Sequence, residues 1–401
     1  MTSYTLPPDK LAKALVLYHA GLWSYFGGTL WNIAILYLLL RLGAGAAIRD
    51  LAARVTARRW LQGLIVAPIW LFIVTAINLP ISLALHHLNL RYGISVEPWP
   101  MWWLDFAKSL GLTLVVGTAV LGFLYLLIRR APRRWWLWFW ILALPVELAA
   151  VFIVPVVIDP LFNHFSPLAQ ADPALVQQLE KVAARGHLHI PPSRMFVMNA
   201  SARVTGPNAY VTGFGASKRI VVWDTTLREL PTPQILAVYA HEQGHYVLHH
   251  IQKGMLYSAL VTFVFFWIAF WLFRWIVRRH GPALHITSLD DWSSLGALLL
   301  IVTLLGFFAD PVSNAFSRHI EHQADVYGEE AIHGLVPNPQ ATMAASFQHL
   351  GELWLEVPHP APFVVFWTYS HPPTAYRMRF AAHYDPWAPG HHPRYFSSGP
   401  G

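Results

Sequence analysis

The sequence predicts a mainly α, polytopic integral membrane protein of about six transmembrane helices that also carries a small β-sheet. Three observations predict it. Of 401 residues, 55% are hydrophobic and only 12% are charged, against about 25% charged in a soluble globular chain. Six stretches, near 18–42, 61–85, 106–128, 135–158, 255–277 and 294–313, are apolar over the roughly 20 residues a helix needs to cross a bilayer. Arginines and tryptophans gather at their ends, as at a membrane interface. Examples are "RRAPRR" (129–134), "RWIVRR" (274–279), "MWW" (101–103) and "WWLWFW" (135–140).

The first stretch is too long for a signal peptide, contains Asn32, and has no small-residue cleavage site after it. The net charge of +7 comes mostly from the arginine clusters beside the spans. Such clusters set topology and touch lipid headgroups. They are not interleaved with any nucleic-acid motif, so nucleic acid is rejected as a partner. There are no cysteines, which excludes disulfides and thiolate metal sites. Trp267, Trp271 and Trp275 repeat at helical spacing and read as a lipid-facing or interfacial stripe. Glu147 lies inside the fourth span, where an ionisable residue is a functional candidate by default; a water-filled interior is the plainer account.

The chain divides into a membrane region of four spans (1–158), a polar segment (159–254), two more spans (255–313) and a second polar segment (314–401). The polar segments are expected to pack together over the membrane. In the first, "DPALVQQLEKVAARG" reads as a helix with Asp172 as cap, Pro173 in the first turn and Gly186 at the end. "RMFVM" (194–198) reads as a strand. "NAYVTGFGASKRIVVWDTTL" (208–227) reads as two strands around a Gly-Ala-Ser-Lys turn. A helix then begins at Thr232 as cap with Pro233 in its first position. In the second segment, 312–332 continues helically from the sixth span. "APGHHPRYFSSGPG" (388–401) is expected to be disordered.

The chemistry is concentrated in "HEQGHYVLHH" (241–250). His241, Glu242 and His245 form H-E-x-x-H. On a helix, residues four apart share a face, so the two imidazoles can hold one Zn²⁺. Glu242 stands beside the metal, where it can take a proton from the attacking water. A catalytic site needs a third ligand. "SRHIEHQAD" (317–325) offers Glu321, with Asp325 one turn later to accept the spare N–H of a ligand imidazole; both residues could also belong to a solvated helix face. His249, four residues after His245, is expected on its face and is a candidate to support it, the alternative being a partly exposed interface histidine; neither His249 nor His250 is needed to close the ligand set. His319 and His322 are expected to turn away, although His322 could approach the metal.

With "HEQGH", "NAFSRHIEHQAD" and "SHPPTAYR" in this order around two spans, the chain resembles the zinc-dependent CAAX prenyl protease 1 family. These are membrane gluzincins that process farnesylated C-terminal peptides. The family pattern N-x-x-S-R-x-x-E-x-x-A-D is met at Asn314, Ser317, Arg318, Glu321, Ala324 and Asp325. S-H-P-P-x-x-x-R is met at Ser370, His371, Pro372, Pro373 and Arg377. "VIDPLFNHFSPL" (157–168) also looks like a family segment. The heat-shock membrane protease HtpX is a shorter, more distant relative.

The resemblance implies that Glu321 is the third ligand and that Arg318 and Asp325 stand behind the ligands. It implies that His371 and Arg377 reach the substrate backbone or the oxyanion. Asn208 and Ala209 resemble an edge strand that pairs with the substrate, as an extended peptide added to a sheet edge would. The implied function is a membrane zinc metalloendopeptidase acting on a peptide or protein, which a prenyl group would mark. A quality-control protease of HtpX type is the alternative, with a non-catalytic zinc-stabilised membrane protein or transporter further off. Eukaryotic family members have seven spans, and the one missing here is the first. The expected location is a bacterial inner (plasma) membrane. The resemblance turns the catalytic face to the cytoplasm, whereas the arginine-rich loops at 41–59, 129–134 and 274–280 fall on the opposite side and favour the reverse.

Overall fold

A computed structural model describes residues 3–213 and 218–396. Six helices are long and apolar enough to cross a membrane: Pro8–Arg41, Arg59–Tyr92, Trp99–Arg130, Trp135–Phe162, His250–His280 and Trp292–Ala331. Each outruns its apolar core, because nothing in the flanking sequence stops it at the bilayer edge. The last is the extreme case. Its α-helical part, Leu295–Ala331, has 37 residues. At 1.5 Å per residue that is about 55 Å, well beyond a hydrocarbon core of about 30 Å. The sixth span therefore projects out of the membrane and delivers the second polar segment's motif on a rigid rod.

Among the described residues two large hydrophobic cores form, with a small third cluster around Met198, Ala200 and Val221 on the sheet. One lies among the spans around Trp70, Tyr125, Trp135, Phe273 and Trp292, with the Tyr125 and Trp292 rings stacked at 4.1 Å. The other joins the two polar segments, as the sequence led us to expect. It is built from a four-stranded sheet and the helices Pro173–Arg185, Thr232–Val247, Pro339–Leu353 and Thr374–His383. Asp172 caps the first of these helices by accepting from Leu175 N at 2.8 Å. Thr232 differs from expectation: it opens its helix but makes no capping bond, the preceding Pro231 holding the extended cap position.

The chain's first residues cross from one region to the other. Tyr4 is buried in the second core, and its hydroxyl donates to the Glu356 carbonyl at 2.8 Å. Gly351 makes room for it: a Cβ there would stand 2.6 Å from the Tyr4 ring. Lys10 pairs with Glu352 at 3.1 Å.

The sheet order is β1 (Phe165–Pro167), β2 (Met195–Met198), β4 (Arg219–Trp223), β3 (Ala209–Thr212). β2 and β4 run parallel and the other pairs antiparallel. Among the described residues β3 pairs only with β4, which leaves its other edge without a strand there. The expected Gly-Ala-Ser-Lys turn between them falls almost wholly outside the described residues. β1 was not expected; three residues ending in proline carry no alternation to read.

The C-terminal expectation needs correction. Residues up to 396 are folded: the backbone N–H groups of Arg394, Tyr395 and Phe396 all donate to the Glu330 carboxylate. The Tyr395 and Phe396 rings also pack on Tyr327. An acidic acceptor buried 64 residues upstream could not be seen from composition.

With six spans, the N-terminus and both polar segments share one side of the bundle. The arginine-rich loops meet at the other, where Arg49 pairs with Asp291 at 3.0 Å and Arg59 with Asp290 at 2.7 Å.

Candidate active site

The H-E-x-x-H residues lie on the helix Thr232–Val247, which packs directly on the projecting end of the sixth-span helix. Close approach is made possible by glycine. A Cβ on Gly328 would stand 2.9 Å from His241 N and 3.0 Å from its Cα. These are backbone atoms that cannot move aside. Gly244, inside the motif, faces the Tyr327 ring in the same way. With the helices this close, side chains one and two turns back along the sixth-span helix reach the histidines.

His241, His245 and Glu321 converge, with one ligand atom from each within 4.8 Å of the others. His241 Nε2 is 3.2 Å from His245 Nε2. Glu321 Oε2 is 3.2 Å from His241 Nε2, and Oε1 is 3.6 Å from His245 Nε2. Ligand atoms around a tetrahedral zinc, each about 2.0–2.1 Å from the metal, lie roughly 3.3–3.4 Å apart. The observed spacings bracket that value. The oxygen Glu321 Oε2 is buried yet makes no well-formed hydrogen bond, although His371 Nε2 also stands 3.2 Å from it. A divalent cation would satisfy this oxygen and the facing imidazole nitrogens together, so the residues fit zinc.

Asp325 lies behind His241, its Oδ1 2.8 Å from Nδ1. A carboxylate only accepts, so Nδ1 carries the proton and Nε2 presents its lone pair to the metal position. Asp325 is itself buried and needs its charge balanced. Arg377 does this with a two-pronged contact, Nε at 2.9 Å and Nη2 at 2.6 Å. The guanidinium rests 4.3 Å from the Phe347 ring centroid.

Glu242 is turned to a cleft also lined by Asn208, Leu230, Phe347, His371 and Arg377. Burial raises its carboxyl above the ordinary glutamate value, against the pull of His241 and His245. That suits a proton acceptor working nearer neutral pH. The cleft's lining includes Asn208, the residue directly before β3, which begins at Ala209. Asn208 is exposed, and its Oδ1 accepts from Ala209 N at 2.8 Å.

Arg318 sits elsewhere than behind the ligands. It donates to the carbonyls of Val365 and Tyr369, at 2.9 and 2.6 Å, and Asn314 donates to that of Trp367 at 2.6 Å. These two residues fasten the short helix Pro362–Thr368, whose end leads directly into Ser370 and His371. His322 turns away from the metal position onto the Phe380 ring. His249 is exposed, whereas His250 is buried against His245, its Nδ1 3.0 Å from His245 Nδ1. His249 thus matches the exposed interface reading and does not support His245: the helix ends at Val247 and the backbone turns left-handed at His249, whose φ is +58°. Glu147 is half-buried among the spans. What sequence reasoning missed here is Gly328, His250 and Gln323; the small residue on each facing helix, Gly244 and Gly328, was the available signal.

A family model described as peptidase family M48 matches residues 169–385, more than half of the chain. The chain belongs to peptidase family M48. A second model, described as the N-terminal region of CAAX prenyl protease with five membrane helices, matches residues 5–164; four of the long apolar helices lie in that range. A protein named as an uncharacterized metalloprotease, YhfN of Bacillus subtilis, is 32% identical over 94% of this chain and 86% of its own. CAAX prenyl protease 1 of Saccharomyces cerevisiae is 34% identical over 48% of this chain and 42% of its own. The crystal structure of Ste24p from S. mikatae superposes with a TM-score of 0.77 at 26% identity, covering 93% of this chain and 88% of that one. The M48 chain described here is thus an integral membrane zinc metalloendopeptidase, and a peptide or protein is its substrate.

Proposed function

We propose that His241, His245 and Glu321 hold the zinc and that the site cleaves peptide bonds near the C-terminus of prenylated, CAAX-like substrates. The observation that carries the site assignment is the convergence of these three side chains within 4.8 Å, with Glu242 beside them on the cleft. The substrate class comes from the named relatives, several of which are CAAX prenyl proteases. Bound zinc supplies a Lewis acid that polarises the scissile carbonyl and acidifies water.

The protein's own groups do the rest. The open edge of β3, from Asn208 and Ala209, holds the substrate as an added strand and aligns its scissile bond with the metal position. Glu242 accepts the proton of the attacking water and returns it to the leaving amine. His371, at the edge of the ligand set, donates to the oxygen that becomes negative. Asp325 holds the proton on His241 Nδ1, and Arg377 holds Asp325, so Arg377 acts by positioning as well as by lining the cleft.

The test is zinc content and peptide cleavage on the purified protein. Glu242→Ala keeps zinc and loses cleavage; Glu321→Ala loses zinc. Unchanged cleavage by Glu242→Ala would sink the mechanism. Comparing a farnesylated peptide with its unmodified form tests the substrate class. Equal rates on both would favour a general membrane-protein quality-control role. Nucleic acid has no part in this reading.

For location we take a bacterial inner (plasma) membrane, in keeping with the Bacillus subtilis relative, with the catalytic face cytoplasmic in keeping with the CAAX proteases. The arginine-rich far side pulls the other way under the positive-inside rule. A reporter fused to the carboxyl terminus decides: periplasmic activity there reverses the orientation.

A further inference from the structure

We propose that His250 and Gln323 position the second zinc-ligating histidine, His245, by fixing which of its ring nitrogens is bare. This rests on the ligand set proposed above. An amide oxygen only accepts hydrogen bonds. Gln323 Oε1 lies 3.0 Å from His250 Nε2, so that nitrogen carries the proton of the neutral imidazole. His250 Nδ1 is then an acceptor. It lies 3.0 Å from His245 Nδ1, which therefore donates. The lone pair of His245 is left on Nε2, the atom that faces His241 and Glu321. In this orientation the Gln323 amide nitrogen donates to His319 Nε2 at 3.2 Å.

The two ligand histidines thus reach the same tautomer by different routes. His241 is fixed directly by a carboxylate, Asp325. Among the described residues no carboxylate stands behind His245, and a neutral relay fixes it. Burial gives the relay its rigidity: His250 is 3% exposed. Its placement depends on the backbone break at His249, which ends one helix and starts the fifth span. Gln323 comes from the sixth-span helix. Each of the two membrane helices that meet at the site therefore contributes one link to the orientation of a ligand.

The experiment is zinc affinity by chelator competition on the purified full chain, with melting of the metal-free protein as the folding control. His250→Leu removes the acceptor and is expected to weaken zinc binding by about 10–100-fold, the usual effect of losing a ligand's hydrogen-bond partner. His250→Gln can still accept from His245 and donate to Gln323, and is expected to restore most of the affinity. In the cobalt-substituted protein, the visible absorption should shift in His250→Leu and return in His250→Gln. Wild-type affinity in His250→Leu overturns the inference. So does equal loss in the Leu and Gln variants, which would mean packing alone. If His250→Leu does not fold, Gln323→Leu reads the same relay at a half-buried position, and unchanged affinity there overturns it. His245→Ala separates the two readings. Retained zinc in that variant removes the ligand set itself, whereas zinc lost there but kept in His250→Leu removes only the relay.

Discussion

The catalytic region and the membrane bundle bury their apolar residues by different rules. In the catalytic region the core is closed on all sides: Tyr4, Leu179, Ile220, Ala237, Tyr239 and Ile332 are all almost fully buried. In the bundle, the apolar windows of the first five spans are between 0% and 17% buried, and only the sixth reaches 39%. The sixth helix is the exception because it belongs to both regions. Its first turns pack in the bundle core around Trp70 and Leu40, and its last turns pack under the H-E-x-x-H helix. A soluble-type core fixes geometry, while lipid completes the solvation of the bundle. The proposed metal ligands sit where a helix passes from one regime to the other.

The comparison is broken most severely at the chemistry, which should fail without touching either core. Glu242→Gln is expected to lower cleavage by about 10²–10⁴-fold, the range for removing a general base. Zinc content and melting temperature should stay those of the wild type. A variant that melts early instead would mean that Glu242 contributes to the core.

Next comes the strap from the N-terminus. Tyr4→Ala empties a closed site and removes the bond to Glu356. Large aromatic truncations of this kind cost about 3–5 kcal/mol. The loss should be read in the catalytic region, by zinc retention on heating or by protease susceptibility, while the bundle remains inserted. If the variant retains zinc on heating as the wild type does, the first residues are an accessory and not part of the core.

A smaller effect is expected at the joint. Gly328→Ala puts a methyl 2.9 Å from His241 N, and overpacking of this sort costs about 1–3 kcal/mol. The helices must separate slightly, so zinc affinity should fall together with stability. Zinc affinity unchanged at lower stability would show that the ligand geometry tolerates a shift of the helix.

These sites also mark how far the sequence could be read. The H-E-x-x-H triad is local: one helix turn brings His241 and His245 together, so spacing alone reveals it. Spacing leaves Glu321 and Asp325 open, since a pair one turn apart also fits a solvated helix face; the family pattern in "NAFSRHIEHQAD" is what picks them out. The spans were legible because lipid tolerates few charges. What spacing cannot show is a contact set by chain reversal. His250 meets His245 only because the backbone takes a left-handed conformation at His249; helical periodicity carried across that residue points to His249 and gives no sign of His250. Tyr4 meets Gly351, and Glu330 meets the backbone at 394–396, across separations with no local signature.

The smallest effect is expected on the outer face of the fifth span, and it sharpens the comparison most. Trp267, Trp271 and Trp275 are about half exposed, at 48%, 53% and 57%, and repeat every four residues along one face. Phe273 on the same helix is fully buried in the bundle core. If lipid covers the tryptophan face, Trp271→Leu exchanges one apolar surface for another in an apolar solvent. Its effect should then stay within about 0.5 kcal/mol, as for surface substitutions generally. Phe273→Ala leaves a cavity that lipid cannot enter and should cost about 3–5 kcal/mol. Thermal melting in one lipid or detergent measures both. A Trp271→Leu cost approaching that of Phe273→Ala would mean that protein, not lipid, packs on this face, and a second copy of the chain would be the first occupant to test by crosslinking.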